Sequence, residues 1–305
     1  MDLLDKKIIM DLIQNCRQPY QSLARKHGVT LNAIKKRVKK LLDDGVIEFT
    51  IEPNVAMIDG DWAIAFIETT GAEDRIQFIK QLGENEMVNE VGTLSGSQYI
   101  IYAVYLGLEG YSEFNKFLRS LEQVKNIEVH QLLMNRGKKI ELSRKQVDVL
   151  NCLITDPRMR ISKIAECTGH SAKTVRRALN ELLEGEGLWF GCRLRLNDAG
   201  SVAFLVKIEW DENRMEVQDI LGWLGKDFPI EFWIPIIPVA QPILYGVFLV
   251  DVARDIGPII DRVRKAPFVK SAVSLMGGES YSFSDVRRTW LEQIFIESGL
   301  ESVDN

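Results

Sequence analysis

The sequence predicts an α+β chain in which two winged helix-turn-helix domains alternate with two ferredoxin-like βαββαβ domains, closed by a C-terminal helix. Three observations predict it. A basic amphipathic helix follows a tight turn within residues 17–49, the same pattern returns 141 residues later, and each copy is followed by strands and helices in the order βαββαβ. The expected boundaries are 1–52 for the first winged helix-turn-helix and 61–135 for the first ferredoxin-like domain. They are 140–196 and 200–277 for the second copies, and 284–298 for the last helix.

Taken in order, residues 2–15 read as a first helix with Leu4, Ile8, Ile9, Leu12 and Ile13 apolar. Pro19 suits a first helical turn, where its missing N–H costs nothing. Leu23 and Ala24 supply the packed face of the second helix. Gly28 can take the positive φ that ends it. Thr30 is a good N-cap for the third helix. There Ile34, Val38, Leu41 and Leu42 recur at i, i+4, i+7 and i+8, while Asn32, Lys35, Lys36, Arg37, Lys39 and Lys40 fill the other face. A short helix with one dry and one basic face after a tight turn has the form of a major-groove recognition helix. Residues 46–52 read as a wing strand and 53–60 as a linker.

The sheet domain follows with a strand at 62–68, a helix at 73–82, and strands at 87–94 and 99–106 around the turn at 95–98. A helix at 111–121 and a strand at 127–134 complete it. Two helices on one face of four antiparallel strands is the ferredoxin-like arrangement. A basic linker, 136–139, leads to the repeat. With an offset of 141, Arg158 matches Arg17, Ile164 and Ala165 match Leu23 and Ala24, Gly169 matches Gly28, and Ser171 matches Thr30. Val175, Leu179, Leu182 and Leu183 renew the apolar face, and Arg176–Arg177 falls on Lys35–Lys36. Further on the offset drifts to 143, where Tyr102 meets Tyr245. A repeat of this length is a duplicated two-domain module, not a solenoid. Residues 188–196 are the second wing and linker; 202–210, 230–237, 243–251 and 269–275 are strands, and 215–224 and 256–263 helices. Residues 284–297 have no counterpart in the first half. They read as an amphipathic helix N-capped by Ser284, with Val286, Trp290, Leu291, Ile294 and Phe295 on one side, expected to cover apolar surface.

A 46 % apolar share in 305 residues leaves ample core. The four cysteines form no CxxC pair, and with three scattered histidines no metal-ligand cluster is legible. Four reduced thiols in a cytoplasm are expected, with no metal and no cofactor. The stretch 230–250 carries Glu231 as its one charge, but Pro235, Pro238 and Pro242 break it, and the repeat aligns it with two strands, so no membrane span is expected. The net charge of −5 hides a partition. Residues 1–48 carry +4 and 138–195 carry +5, while 49–137 and 196–305 are each −7. Positive charge confined to both helix-turn-helix segments is the electrostatic footprint of phosphate binding. The candidate DNA-contacting residues are therefore Thr30, Asn32, Lys35, Lys36, Arg37, Lys39, Lys40, Ser171, Lys173, Thr174, Arg176 and Arg177. His27 and His170 are expected to be structural or phosphate-facing, His130 a surface or packing residue, and Trp62, Trp210, Trp223 and Trp233 core.

These residues resemble the Lrp/AsnC (feast/famine) transcription regulators. The shared pattern is Asp2, Asp5, Ile8–Ile9, Arg17, Leu23–Ala24, Gly45–Val46–Ile47 and Gly60 in the first copy. In the second it is Arg158, Ile164–Ala165, Gly187 and Gly200, with Ser143 and Gln146 at the acidic positions. The resemblance spans about residues 1–134 and 142–276. It implies a DNA-binding regulator, not an enzyme, whose sheet domains pair and bind a small-molecule effector, an amino acid or other metabolite. With two modules in one chain it implies an intrachain pseudo-dimer, with a homodimer as a further level. The effector turn would involve Gly96, Ser97, Gln98 and Tyr99, and Gln241 in the second copy. The family usually reads Gly-x-Tyr-Asp there, and neither turn has that Asp. Two alternatives stay open. One is an enzyme on the same scaffold, similar to siroheme decarboxylases, although the middle strands lack the His- and Arg-rich runs of those proteins. The other is a ligand-sensing pair without DNA binding.

Overall fold

The computed structural model describes residues 1–195 and 201–300. In chain order the elements are α1 (Leu3–Gln14), α2 (Tyr20–His27), α3 (Leu31–Asp43), β1 (Ile47–Pro53), β2 (Gly60–Thr69), α4 (Arg75–Gly83), β3 (Val88–Leu94), β4 (Gln98–Leu106), α5 (Gly107–Ser120) and β5 (Val124–Gln131). The second half supplies α6 (Arg144–Thr155), α7 (Ile161–Thr168), α8 (Ala172–Glu184), β6 (Leu188–Leu194), β7 (Val202–Trp210), α9 (Val217–Asp227), β8 (Phe232–Ile236), β9 (Ile243–Val250), α10 (Ile256–Arg264), β10 (Val269–Ser282) and α11 (Val286–Glu297). The linker around Gly200 lies outside the described residues.

Two compact units result, each drawing on both halves of the chain. In the helix-turn-helix unit, α1–α3 and β1 recur as α6–α8 and β6 with the 141-residue offset at both ends of every element. The local causes match the sequence pattern. Gly28 and Gly169 close α2 and α7 at φ 67° and 69°. Thr30 Oγ1 accepts the Ala33 amide at 3.1 Å, and Ser171 Oγ accepts that of Thr174 at 3.2 Å. Where the first copy turns out of α3 on Gly45 at φ 71°, the second uses Glu186 at φ 56°, a left-handed non-glycine.

The wings depart from expectation. Each is a single strand, and β1 pairs with β6 in antiparallel register, Ile47 opposite Leu194 and Pro53 opposite Leu188. Thr50 faces Gly191, its own equivalent in the repeat, so the ladder has a pseudo-two-fold centre. A lone strand with an unsatisfied edge needs a partner, and duplication supplies one. A second departure is at the cysteines. Cys152 of α6 and Cys167 of α7 are joined as a disulfide, while Cys16 and Cys192 are free and buried. The third is at α11. Its N-cap is Asp285, which accepts the Arg287 amide, one residue past the expected Ser284. As expected, α11 covers apolar surface. Leu291 and Phe295 are buried in one core with Val147, Leu150, Leu153, Ile164, Val175 and Leu182.

In the sheet unit each half keeps the ferredoxin-like strand order, β5-β2-β4-β3 and β10-β7-β9-β8, and the two join as one eight-stranded sheet through β3 and β10. β10 is twice as long as foreseen. Its first half pairs with β7, and past an irregularity after Gly277 residues 280–282 pair with β3. The opposite edges also meet. Leu133 N–H donates to Ile237 O at 2.8 Å and Val239 N–H to Gln131 O at 2.9 Å, around a bridge between Leu132 and Pro238. Alternation along each strand divides the core. Ala63, Ala65 and Ile67 pack under α4 and α5, while Ile64 turns to the opposite side with Leu94, Ile100, Leu205, Ile236, Ile243 and Tyr245. Trp210 and Trp233 are buried. No helix of the described residues is long and apolar enough to cross a membrane.

Candidate nucleic-acid interface

The buried stripe of α3 is Ile34, Val38 and Leu41, which leaves Asn32, Lys35, Lys36, Lys39 and Lys40 exposed. The candidate face is narrower than the charges suggest. Arg37 is half-buried and its guanidinium donates to Asp5 on α1 at 2.6 Å, so it ties two helices together. Lys39 pairs with Asp43 one turn on, at 2.6 Å. Lys35, Lys36 and Lys40 are exposed with no ion-pair partner among the described residues. On α8, Lys173 and Arg176 are exposed in the same way, while Arg177 lies 3.6 Å from Glu181, which also accepts from Gln146 Nε2. Thr30 and Ser171 use their hydroxyls as caps, and Thr174 is half-buried beside Ser171. The cap role explains their presence without DNA.

A reciprocal clamp joins the two copies; the sequence marked its arginines as a repeat match and as part of the family pattern, not as a contact. The Arg17 guanidinium donates to Pro157 O at 2.5 Å and Met159 O at 2.8 Å. Its equivalent Arg158 donates to the carbonyls of Cys16 and Gln18. Arg158 also lies 4.2 Å over the Tyr20 ring. Each arginine thus satisfies backbone acceptors in the turn before the other copy's second helix. A second anchor lies at the wings. Glu52 accepts from Arg193 at 2.6 Å and from Arg287 at 3.0 Å, and Arg287 is buried against Asp285. The histidines of the motif are structural: His27 bonds Asp11 and His170 bonds Asp148, each at 2.8 Å.

The expected effector residues do not converge. Gly96 and Ser97 take positive φ, 76° and 58°, in the β3–β4 turn, whose Ser97 carbonyl accepts the Thr69 amide at 3.0 Å. Tyr99 is buried and its hydroxyl donates to Glu73 Oε1 at 3.0 Å, with Thr69 Oγ1 donating to the same oxygen at 2.5 Å. Burial and this bond to Glu73 push the Tyr99 hydroxyl up to about 12. Gln241 is exposed in the β8–β9 turn, whose Val239 bonds Gln131 of β5 instead. A polar cluster the sequence did not announce lies elsewhere in the sheet unit. His130 is 6 % exposed, bonded to Glu128 at 3.0 Å and to the Tyr245 hydroxyl at 3.3 Å, and Lys207 reaches Glu128 at 2.8 Å. The His130 hydrogen bond, with Lys207 assisting against desolvation, holds the Glu128 carboxyl down at about 2. No cluster of three or more His, Cys, Asp or Glu side chains with metal-binding geometry occurs among the described residues.

The chain matches a family profile described as winged helix-turn-helix DNA-binding twice, at residues 1–48 and 142–186. It is 30 % identical over 136 residues to an uncharacterized HTH-type transcriptional regulator of Pyrococcus horikoshii, covering 44 % of this chain and 91 % of that one. It is also 30 % identical over 110 residues to the HTH-type transcriptional regulator LrpA of the same organism, covering 34 % and 75 %. A structural likeness spans nearly everything: the siroheme decarboxylase NirDL, in complex with an iron-uroporphyrin III analogue, matches 96 % of this chain and 98 % of its own. Its TM-score is 0.58 at 12 % identity, a likeness of fold.

Proposed function

Because the chain belongs to the Lrp/AsnC family of helix-turn-helix transcriptional regulators, we propose that it binds double-stranded DNA through two non-identical recognition helices, α3 and α8, carried by one polypeptide. The observation that carries the reading is the pseudo-two-fold arrangement of the helix-turn-helix unit. The β1–β6 ladder and the Arg17/Arg158 clamp hold two motifs as a pair, which is how a symmetric dimer presents two recognition helices to successive half-sites. The sheet halves, joined along β3–β10 and at residues 131–133 and 237–239, are the intrachain counterpart of the family's paired domains. In this reading Lys35, Lys36 and Lys40 bind phosphates on one half-site and Lys173 on the other, while Asn32 and Arg176 read base edges. Effector sensing is proposed for the turn at residues 96–99, where the Tyr99–Glu73 pair would respond to a small metabolite. Selection of genomic fragments by the purified protein at stated salt tests the DNA reading; no enrichment over bulk DNA would refute it.

One observation favours a second reading, an enzyme on this scaffold: the gathering of Glu128, His130, Lys207 and Tyr245 in a fold similar to that of a siroheme decarboxylase. A visible-absorption titration with an iron tetrapyrrole distinguishes the two. A saturable spectral shift lost in His130→Ala would support the enzyme.

A further inference from the structure

The two motifs tie their first and second helices together at the same two repeat positions by different chemistry. In the first copy, Lys26 of α2 donates to Asp11 of α1 at 2.5 Å. The 141-residue offset places Cys167 and Cys152 at these positions, and there the link is the disulfide. We propose that Cys152 and Cys167 form a reversible thiol–disulfide site, open to small-molecule disulfides and thiols, that sets the rigidity of the second motif alone and so gates α8 but not α3. The gating consequence rests on the DNA-binding reading; the thiol chemistry does not.

Four observations support it. The Cα atoms lie 6.8 Å apart, within the span a disulfide bridges without backbone movement. Cys167 is exposed at the end of α7, while Cys152 is buried. The remaining cysteines do not compete. Cys16 and Cys192 are buried, and burial pushes their thiols up to about 11 and about 12, which keeps them protonated and unreactive at neutral pH. The second motif also keeps a non-covalent tie, His170 to Asp148, so breaking the disulfide loosens α6 against α7 without releasing it. In the compartment where DNA is bound, thiol pools are usually reducing, and disulfides found there are characteristically transient or sensing.

The exchange balances with a small disulfide RSSR. The Cys167 thiolate attacks one sulfur of RSSR and expels RS⁻, leaving a mixed disulfide. The Cys152 thiolate then attacks the Cys167 sulfur and expels the second RS⁻. Two thiols lose two electrons and two protons, and RSSR becomes two RSH.

The test uses the full chain equilibrated across ratios of reduced to oxidised glutathione, with thiols counted by a maleimide of added mass and amide exchange followed along α6–α8. Two thiols should disappear together as the poise rises, in wild type and in Cys16→Ser/Cys192→Ser, and not in Cys152→Ser/Cys167→Ser. Amides of α6 and α7 should exchange roughly fivefold or more faster when reduced, with α1–α3 unchanged, and affinity for a selected operator should fall by a similar factor, at the low end of ordinary coupling between sites. Failure of the pair to oxidise at any ratio would overturn the proposal. So would a disulfide that forms while α6–α8 exchange is the same in both states. Absence of operator binding in both states would refute the DNA reading only, leaving the thiol count and exchange rates to decide the switch.

Discussion

In the first helix-turn-helix, Lys26 and His27 both reach Asp11, and the recognition helix ends on a glycine turn; in the second, a disulfide and His170–Asp148 do the tying, Glu186 makes the turn, and α11 is laid over the core. The backbone boundaries are the same to the residue. The apolar positions and the caps thus specify the motif, while the ties between helices can be ionic or covalent. On their recognition helices the copies are no longer equivalent. α3 keeps three exposed lysines with no ion-pair partner among the described residues, against Lys173 and Arg176 on α8, whose Arg177 faces Glu181. Under the proposed DNA reading, two such unequal helices should meet two unlike half-sites, because operator symmetry follows protein symmetry.

The largest expected effect is on the second motif, whose helices share a core with Phe295. Phe295→Ala should destabilise it by ~3–5 kcal/mol, the range for emptying a buried aromatic site. Amide exchange should rise in α6–α8 with α1–α3 little changed; equal loss in both motifs would show that α11 supports the whole unit. The clamp comes next. Arg17→Ala should cost ~2–3 kcal/mol through two lost charge-assisted hydrogen bonds. Arg158→Ala should cost ~0.5–1 kcal/mol more for its contact with Tyr20. Urea midpoints check the order, and a reversed order would break the assignment of Tyr20 to Arg158.

The sheet halves offer a pH contrast. Phe66 stands opposite Glu128 in the first half, and Lys207, its repeat equivalent, opposite Val273 in the second. Lys207 therefore finds its carboxylate across the halves. Because Glu128 titrates near 2 when folded and about 4.3 when unfolded, its stabilising contribution is complete above about pH 4.3 and disappears as pH falls toward 2. Glu128→Gln should lower the urea midpoint at pH 6 and converge with wild type near pH 2. A constant gap would contradict the cause given. The smallest effect is at the turn. Glu186→Gly should raise stability by at most ~1 kcal/mol, relief of the left-handed backbone being offset by glycine's entropy.

Much of this was legible in the residues. The repeat at 141, the glycine caps and the apolar stripes of α3 and α8 placed both motifs, and the βαββαβ order placed the strands. What was not legible has a common physical form: it depends on a partner far along the chain. β1 choosing β6, β10 continuing past Gly277 to β3, Arg37 turning to Asp5, and Cys152 meeting Cys167 across a helix–helix contact are long-range pairings that local periodicity does not encode. The N-cap of α11 failed for a local reason, since Ser284 and Asp285 are both good caps and adjacent. The His130 cluster escaped notice because its members come from β5, β7 and β9 and share no sequence spacing.

Footprinting with sequence selection on wild type, Lys35→Ala/Lys36→Ala and Arg176→Ala asks whether one chain presents two unequal DNA-reading helices. Two unlike half-sites should appear beneath a single chain. The lysine pair should weaken binding to all sequences and reduce the salt slope by about 2, and Arg176→Ala should damage one half-site only. Two identical inverted half-sites, with both variants affected alike, would contradict this inequality.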